Sequence, residues 1–427
     1  MRSGIADYSA ELLPGLSRHA KVTTYSPLDA SRAAQAGHDL LLFQIGNDPL
    51  HLPSIETLKS SRRTTPAVVV LHDFSLHHLF AAAYLDRGRE KEYAQELERA
   101  HGERGRELAL RTLAGPRIPV WDLDPWSYPM SAGVLRDAAA VIVHSRLVRG
   151  AVLRELPSCH VVEIPHHVVS APRAESRQAR DALNLPMDRV LAVSLGVVTP
   201  AKRIARVLEA LALLESSQRP FLFVGGAVGN DDPLHTMVER LGLAGDVAFG
   251  GYLSEEEFWL AASAGDMAVN LRHPTVGETS GAVCRLAGFG LPLLVSDVGW
   301  FRELPESFAA KIPVGSGEVE RIAEELERLG SDVEERSRRS RAARAWGLER
   351  SPDRIAGLYA DVLTEVAEGD AAPLGVSGFV AAQLYALGIA RSGAGTLSRA
   401  PDAEVVASVA VAAVGLLPVR TAKPGPP

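Results

Sequence analysis

A chain of 427 residues is long enough for two domains, each with a sizeable core. Its 46% hydrophobic and 23% charged residues are ordinary for a soluble globular protein, and a net charge of −7 argues against a nucleic-acid partner held by bulk electrostatics. Cys159 and Cys284 lie too far apart to define a metal cluster and are expected to stay reduced in the cytosol; no N-terminal apolar signal segment is visible.

The chain opens in a turn at Gly4 with no apolar run ahead of it. A doubly wound domain ordinarily begins with a buried strand that delivers such a turn. Either the true start lies upstream or the first domain lacks its first strand, and a truncated or misassigned start is the expectation. Residues 6–19 read as a helix with Leu12, Leu13 and Leu16 on one face. Residues 39–45 (DLLLFQI) read as a buried strand, 46–49 as a turn and 54–60 as a short helix. The uninterrupted apolar run at 67–71 suits a parallel strand covered on both faces. Residues 90–113 read as a long charged helix on the surface. The aromatic, Pro-containing stretch 121–130 reads as a loop that either lines a cleft or packs on the core. Strands at 139–143 and 160–164 flank a helix at 147–156, and 166–180 is the best inter-domain linker.

The alternation then restarts, with strands at 190–194, 221–224 and 247–249 and helices at 204–214, 233–241 and 254–264. A strand at 267–270 leads into a loop at 272–278 and a helix to about Phe289, capped by Thr279 or Ser280. Gly290 and Pro292 stop that helix before a strand at 293–295. Helices at 317–329 and 352–368 close the second domain. After Gly369 the chain turns to Ala, Val and Gly, and its apolar runs at 374–390 and 405–417 are short of the ~20 residues of a spanning helix. That tail reads as an appended helical or partly disordered piece. Strand alternating with helix throughout gives an α/β class with mostly parallel sheets in two successive doubly wound domains.

Several residues are placed for chemistry. Backbone N–H groups at the start of the helix after Ser280, beside Glu278, suit a ligand carrying hydroxyls and an anionic phosphate. Lys202 and Arg203, in TPAKR, follow the strand 190–194 and its Gly196 turn. They therefore stand at the C-terminal edge of a sheet, where open α/β folds bind ligands. The plainer alternatives are a surface lysine at a helix start and a helix-capping carboxylate. His72 and Asp73 end the strand 67–71 and face the same cleft if the domains stack, with Asp73 as a partner orienting His72; a purely structural histidine is the alternative. Gly4 lets backbone approach a ligand, and Asp7 either polarises an acceptor hydroxyl or simply favours its helix dipole. His77, His78, His166 and His167 form pairs, but no spacing completes a metal site and none is assigned. Gly225-Gly226 and Gly250-Gly251 leave room for a base or ribose, a weak signal.

The run PTVGETSG, followed by GLPLLVSDVGWFRELP, resembles the donor-binding segment of family 4 retaining glycosyltransferases, the glycosyl transferases group 1. SGIADYSAELLPGL, QIGNDPLH, VVVLHDFSLHHL, VIVHS and LGVVTPAKRIARVLEAL agree with it in order, over residues 3–350. The resemblance implies a GT-B fold, two Rossmann-like domains facing a central cleft. It implies an N-terminal acceptor domain at 1–168, a donor domain at 174–350, a C-terminal helix at 351–368 of the kind that crosses back, and a tail at 369–427. It implies sugar transfer with retention from a nucleotide-diphosphate sugar, without cofactor or metal, to a glycan, lipid or small-molecule acceptor. Lys202 is thereby assigned to the diphosphate, Glu278 to sugar hydroxyls with the backbone of Thr279, Ser280 and Gly281, and His72 to the donor sugar. Gly196, Arg203, Arg272 and Arg285 complete the donor side; Gly4, Asp7 and Asp73 are placed on the acceptor side.

The pattern departs from the family in two places. Val197 stands where an arginine is usual, so Arg203 or Arg272 would supply the charge. In E-x7-E the second acid, expected on the ribose, is replaced by Leu286, and the adjacent Arg285 could instead meet a phosphate. A cytoplasmic enzyme is expected, with peripheral membrane contact as an option and no nucleic-acid partner. The alternative is a catalytically degenerate GT-B protein acting as a binding or partner subunit; a phosphorylase or epimerase does not fit TPAKR with GETSG.

Overall fold

The computed structural model describes residues 4–61, 64–115, 119–169, 171–227 and 233–369, with the backbone of 408–412. Two six-stranded parallel sheets organise them. The first is built from β1 (Lys21–Tyr25), β2 (Leu40–Ile45), β3 (Ala67–Leu71), β4 (Ala140–Val143) and β5 (Val161–Glu163). The second holds β6 (Leu191–Leu195), β7 (Phe221–Gly225), β8 (Val247–Gly251), β9 (Met267–Asn270), β10 (Leu293–Ser296) and β11 (Ala309–Ile312), in the order β11-β10-β9-β6-β7-β8. Every residue of β2, β3 and β4 is buried, because helices cover both faces of the sheet. Leu41, Phe43, Val69, Leu71 and Val141 serve one core; Leu40, Leu42, Val68, Val70 and Ile142 serve the other. The period of two along each strand thus feeds two separate cores.

The last described strand, β12 (Ser408–Ala412), lies in the first sheet between β1 and β2 and parallel to both. Val409 is level with Val22 on one side and Leu40 on the other. The expected helical or disordered character of the tail is therefore corrected at 408–412. Two flanking strand edges offer their free N–H and C=O groups to an apolar, β-branched segment, and that pairing decides its conformation. The apolar run at 374–390 lies outside the described residues.

Other expectations shift for local reasons. The segment 90–113 is two helices, Glu90–His101 and Glu103–Ala114, broken at Gly102 with φ 59° and ψ −142°. They pack on the core through Tyr93, Leu97, Leu108 and Ala109 instead of standing off as a solvated excursion. The linker contains a short helix, Ser176–Ala182. β1, β11 and the helix Val333–Leu348 were not anticipated; β1 is half exposed, and the helix is rich in arginine with little apolar face.

The chain crosses back at its last long helix, Pro352–Ala367. That helix packs on the first one, Gly4–Leu16, where Tyr359 and Tyr8 share a hydroxyl–hydroxyl hydrogen bond of 2.7 Å. Close approach demands glycine at position 15, since a Cβ there would lie 2.5 Å from the Ala356 Cβ. Among the described residues no helix is long and apolar enough to cross a membrane.

Candidate active site

On the second sheet the site begins where β6 ends. Gly196 turns the chain at φ +100°, and its N–H donates to the Gly225 carbonyl at 2.8 Å. Lys202 follows in a single helical turn and sends its ammonium back beneath that glycine. A Cβ at 196 would meet Lys202 Nζ at 3.0 Å, so the turn and the lysine require each other. Lys202 is buried, and Nζ donates to the Leu195 carbonyl at 2.9 Å. Burial, helped by the nearby Arg272 charge, pushes its ammonium down to about 7. The glycine at 226 has a packing reason, because a Cβ there would lie 2.4 Å from the Gly196 carbonyl oxygen. Arg203 is held bidentately by the buried Glu318, so its charge is already matched. Of the two candidates to replace the arginine missing at Val197, Arg272 is the one beside Lys202.

The loop after β9 carries the acid. Glu278 accepts from Thr275 Oγ1 at 2.7 Å and from the Val276 N–H at 2.9 Å, and pairs with Arg272 Nε at 3.0 Å. The last contact is an ion pair without hydrogen-bond alignment, which leaves the Arg272 Nε–H without an acceptor. Ser280, not Thr279, caps the helix Gly281–Phe289 by accepting from the Val283 N–H at 3.3 Å. A Cβ at Gly196 would lie 3.9 Å from the Ala282 Cβ, which brings that helix start over the Lys202 turn. Lys202, Arg272, Glu278 and the open end of the helix therefore gather at one spot. Arg285, one turn further along, pairs with Glu11 of the first domain and sits near the rings of Phe258 and Trp259, 5.9 and 5.7 Å from their centroids. In this arrangement it is engaged with a carboxylate and not turned to a phosphate site.

The first domain supplies the opposite wall. His72, at the end of β3, is oriented by Gln44, whose Oε1 lies 2.7 Å from His72 Nε2; Asp73 does not perform that role. Burial first, then the neighbouring His144 and His166, hold the His72 imidazole well below its ordinary range and so neutral. Its ring packs edge-on against Tyr8 at 4.8 Å. Asp73 instead accepts from the Asn47 N–H at 2.7 Å and feels Glu278 and Arg272 across the cleft. Burial raises the Asp73 carboxyl to about 7, against the opposing pull of that N–H. Gly4 opens the first helix, where a Cβ would meet nothing within 4 Å among the described residues, and Asp7 lies in that helix's first turn.

The two walls touch directly. The Ser75 N–H donates to the Val276 carbonyl at 2.8 Å, and Trp126 Nε1 donates to the Thr275 carbonyl at 2.8 Å. The 121–130 stretch takes both roles open to it: Trp126 bonds across the cleft, while Trp121, Trp126 and Tyr128 also pack on the first core. Gly277, at φ +85°, lets the loop press on Phe74, where a Cβ would come within 2.5 Å of the Phe74 Cβ. Tyr8, Gln44, Asn47, His144 and Trp126 were not singled out beforehand. His144 alone carried a signal, since it ends β4 in VIVHS as His72 ends β3 in VVVLHD. Among the described residues no group of three or more His, Cys, Asp or Glu is arranged to hold a metal ion.

Two doubly wound parallel sheets meeting across a cleft, joined by a helix that returns from the second to the first, define the GT-B fold. Residues 175–346 match the family model described as glycosyl transferases group 1. The second domain is a glycosyl transferases group 1 domain, and the chain is a glycosyltransferase.

Solved structures agree on the fold. Sucrose-phosphate synthase from Thermosynechococcus elongatus is 17% identical with a TM-score of 0.56, over 79% of this chain and 76% of that one. HepE of Anabaena, solved in complex with UDP-glucose, is 16% identical with a TM-score of 0.55, over 79% of this chain and 82% of that one. Comparison with curated proteins returned no match.

Proposed function

We propose that the protein is a retaining glycosyltransferase that moves a sugar from a nucleoside diphosphate donor to a hydroxyl of a glycan, lipid or small-molecule acceptor. The observation that carries this reading is the gathering of Lys202, Arg272, Glu278 and the start of the helix Gly281–Phe289 opposite His72 and Asp73. HepE, with its bound UDP-glucose, supports a nucleoside diphosphate sugar as the donor class.

Transfer breaks the bond between the anomeric carbon and the diphosphate oxygen, and negative charge builds on that oxygen. Lys202, Arg272 and the helix amides of Ser280 and Gly281 are the groups that stabilise it, so no metal is required. Glu278, with the Thr279 backbone, takes donor sugar hydroxyls, and neutral His72 hydrogen-bonds the same sugar. The acceptor hydroxyl approaches from the side of Gly4, Asp7 and Asp73, on the face the diphosphate leaves. Its proton passes to the departing phosphate oxygen, so the step needs no enzymic nucleophile and retains configuration. Gly196 supplies the close backbone approach on the donor side. The acceptor is met in the cytosol or at a membrane surface.

A second reading, a catalytically inactive binding subunit, is favoured by Leu286 in place of an acid and by the occupation of Arg285 with Glu11. Donor turnover with a panel of nucleotide sugars decides between them. Lys202→Ala is expected to lower kcat by about 10²–10³-fold with an unchanged melting temperature. Wild-type turnover by a folded Lys202→Ala protein overturns the assignment of Lys202. A wild-type protein that neither binds nor turns over any donor supports the second reading.

A further inference from the structure

His166 lies where the chain leaves the first sheet for the second, and its two ring nitrogens have different fates. Nδ1 is 2.6 Å from the His167 carbonyl oxygen. A carbonyl oxygen only accepts, so Nδ1 carries the proton and Nε2 of the neutral ring is a bare acceptor. Burial, with His167 and His144 alongside, keeps the ring neutral.

That bare nitrogen faces the start of the helix Gly281–Phe289, where a Cβ at Gly281 would be 3.7 Å from Nε2. The ring is held by Tyr8, His167 and His144, with centroids 4.7, 5.0 and 5.7 Å away. A chain of contacts ties it to the same helix. His167 Nε2 donates to Glu11 Oε2 at 2.7 Å, and the other Glu11 oxygen pairs with Arg285, four residues after Gly281. The distance from His166 to the helix start is therefore set by a closed loop through both domains.

On the donor side Lys202 and Arg272 are cations, the helix start offers N–H donors, the Glu278 carboxylate already receives Thr275 and Val276, and the Glu11 carboxylate is taken by His167 and Arg285. A ligand with hydroxyls next to its phosphates needs one more acceptor here. We propose that His166 is a ligand-binding residue of the cleft, accepting a hydrogen bond from a sugar hydroxyl through Nε2, with Glu11 and His167 as its positioning residues. The inference rests on the cleft being a nucleotide-sugar site. The hydroxyl belongs to the donor or to the acceptor, and kinetics separates the two.

The test measures donor hydrolysis without acceptor, and transfer with acceptor, for wild type, His166→Ala, His166→Asn and Glu11→Gln. Ala is expected to raise KM about tenfold for the substrate whose hydroxyl is held, with little change for the other. Asn, which keeps an acceptor oxygen, recovers part of the loss, and Glu11→Gln falls between. A rise in the hydrolysis KM assigns the donor; a rise only in the acceptor KM assigns the acceptor. Unchanged KM for both substrates in a folded His166→Ala protein overturns the proposal. If the alanine variant does not fold, the volume-filling His166→Phe takes its place with the same expectation. Calorimetry with UDP-glucose keeps the two readings apart. Binding to wild type that His166→Ala leaves intact, together with an unchanged acceptor KM, refutes the role of His166 alone. No binding of any nucleotide sugar to wild type removes the cleft reading and this inference together.

Discussion

An ammonium with its pKa pressed down to about 7, as at Lys202, is half charged at neutral pH. A bound diphosphate favours the charged form, so binding takes up a proton above pH 7. Affinity for a nucleoside diphosphate should be full below about pH 7. It should then fall about tenfold per pH unit until the raised pKa of the complex is reached. Asp73, at about 7, ionises over the same range and also weakens anion binding as pH rises. Calorimetry from pH 6 to 9 on wild type and Lys202→Met separates the two, because the methionine variant keeps only the Asp73 part. A wild-type slope no steeper than that of Lys202→Met would place Lys202 out of reach of the phosphate. At this scale, what was legible in the chain depended on where the partner lies. Lys202 and Glu278 stand in short motifs whose geometry is local. The carboxylates that hold Arg203 and Arg285, Glu318 and Glu11, could not be read from the motifs because they lie 115 and 274 positions away.

Among elements, the helix Pro352–Ala367 has the clearest energetic signature. It belongs in sequence to the second domain yet packs on the first through the buried Tyr8–Tyr359 pair. Tyr359→Phe leaves the Tyr8 hydroxyl buried without a partner and should cost about 1–3 kcal/mol. The double variant with Tyr8→Phe should cost less than the sum of the two single changes, because no lone hydroxyl remains. Urea denaturation of the three variants measures both quantities; strict additivity would show that the pair is not coupled. Elements whose burial is complete were readable from composition, as AVVVL was for β3. KVTTY was not, because no residue of β1 is buried, Lys21, Thr23 and Thr24 being exposed, and the segment resembles a loop. The break at Gly102 was missed because helical periodicity carries through it while the backbone does not.

For the whole molecule, the sheet containing β12 is the least legible feature. Parallel pairing with strands at 21–25 and 40–45 leaves no local sign at 408–412 beyond an apolar, β-branched run. Val409→Pro with Val411→Pro removes two N–H groups from the segment and should break the ladder. Amide hydrogen exchange should then quicken in β1 and β2 while β9 and β10 keep their protection. Unchanged protection in β1 and β2 would refute the pairing. The same placement bears on biosynthesis. An interior strand of the first domain is drawn from a segment that is translated only after the whole of the second domain. At roughly 5–20 residues per second, a gap between two finished neighbours stays open for on the order of tens of seconds. During that time the nascent protein exposes two bare backbone edges that a chaperone or a second nascent copy can claim, so the order of translation itself becomes a determinant of yield.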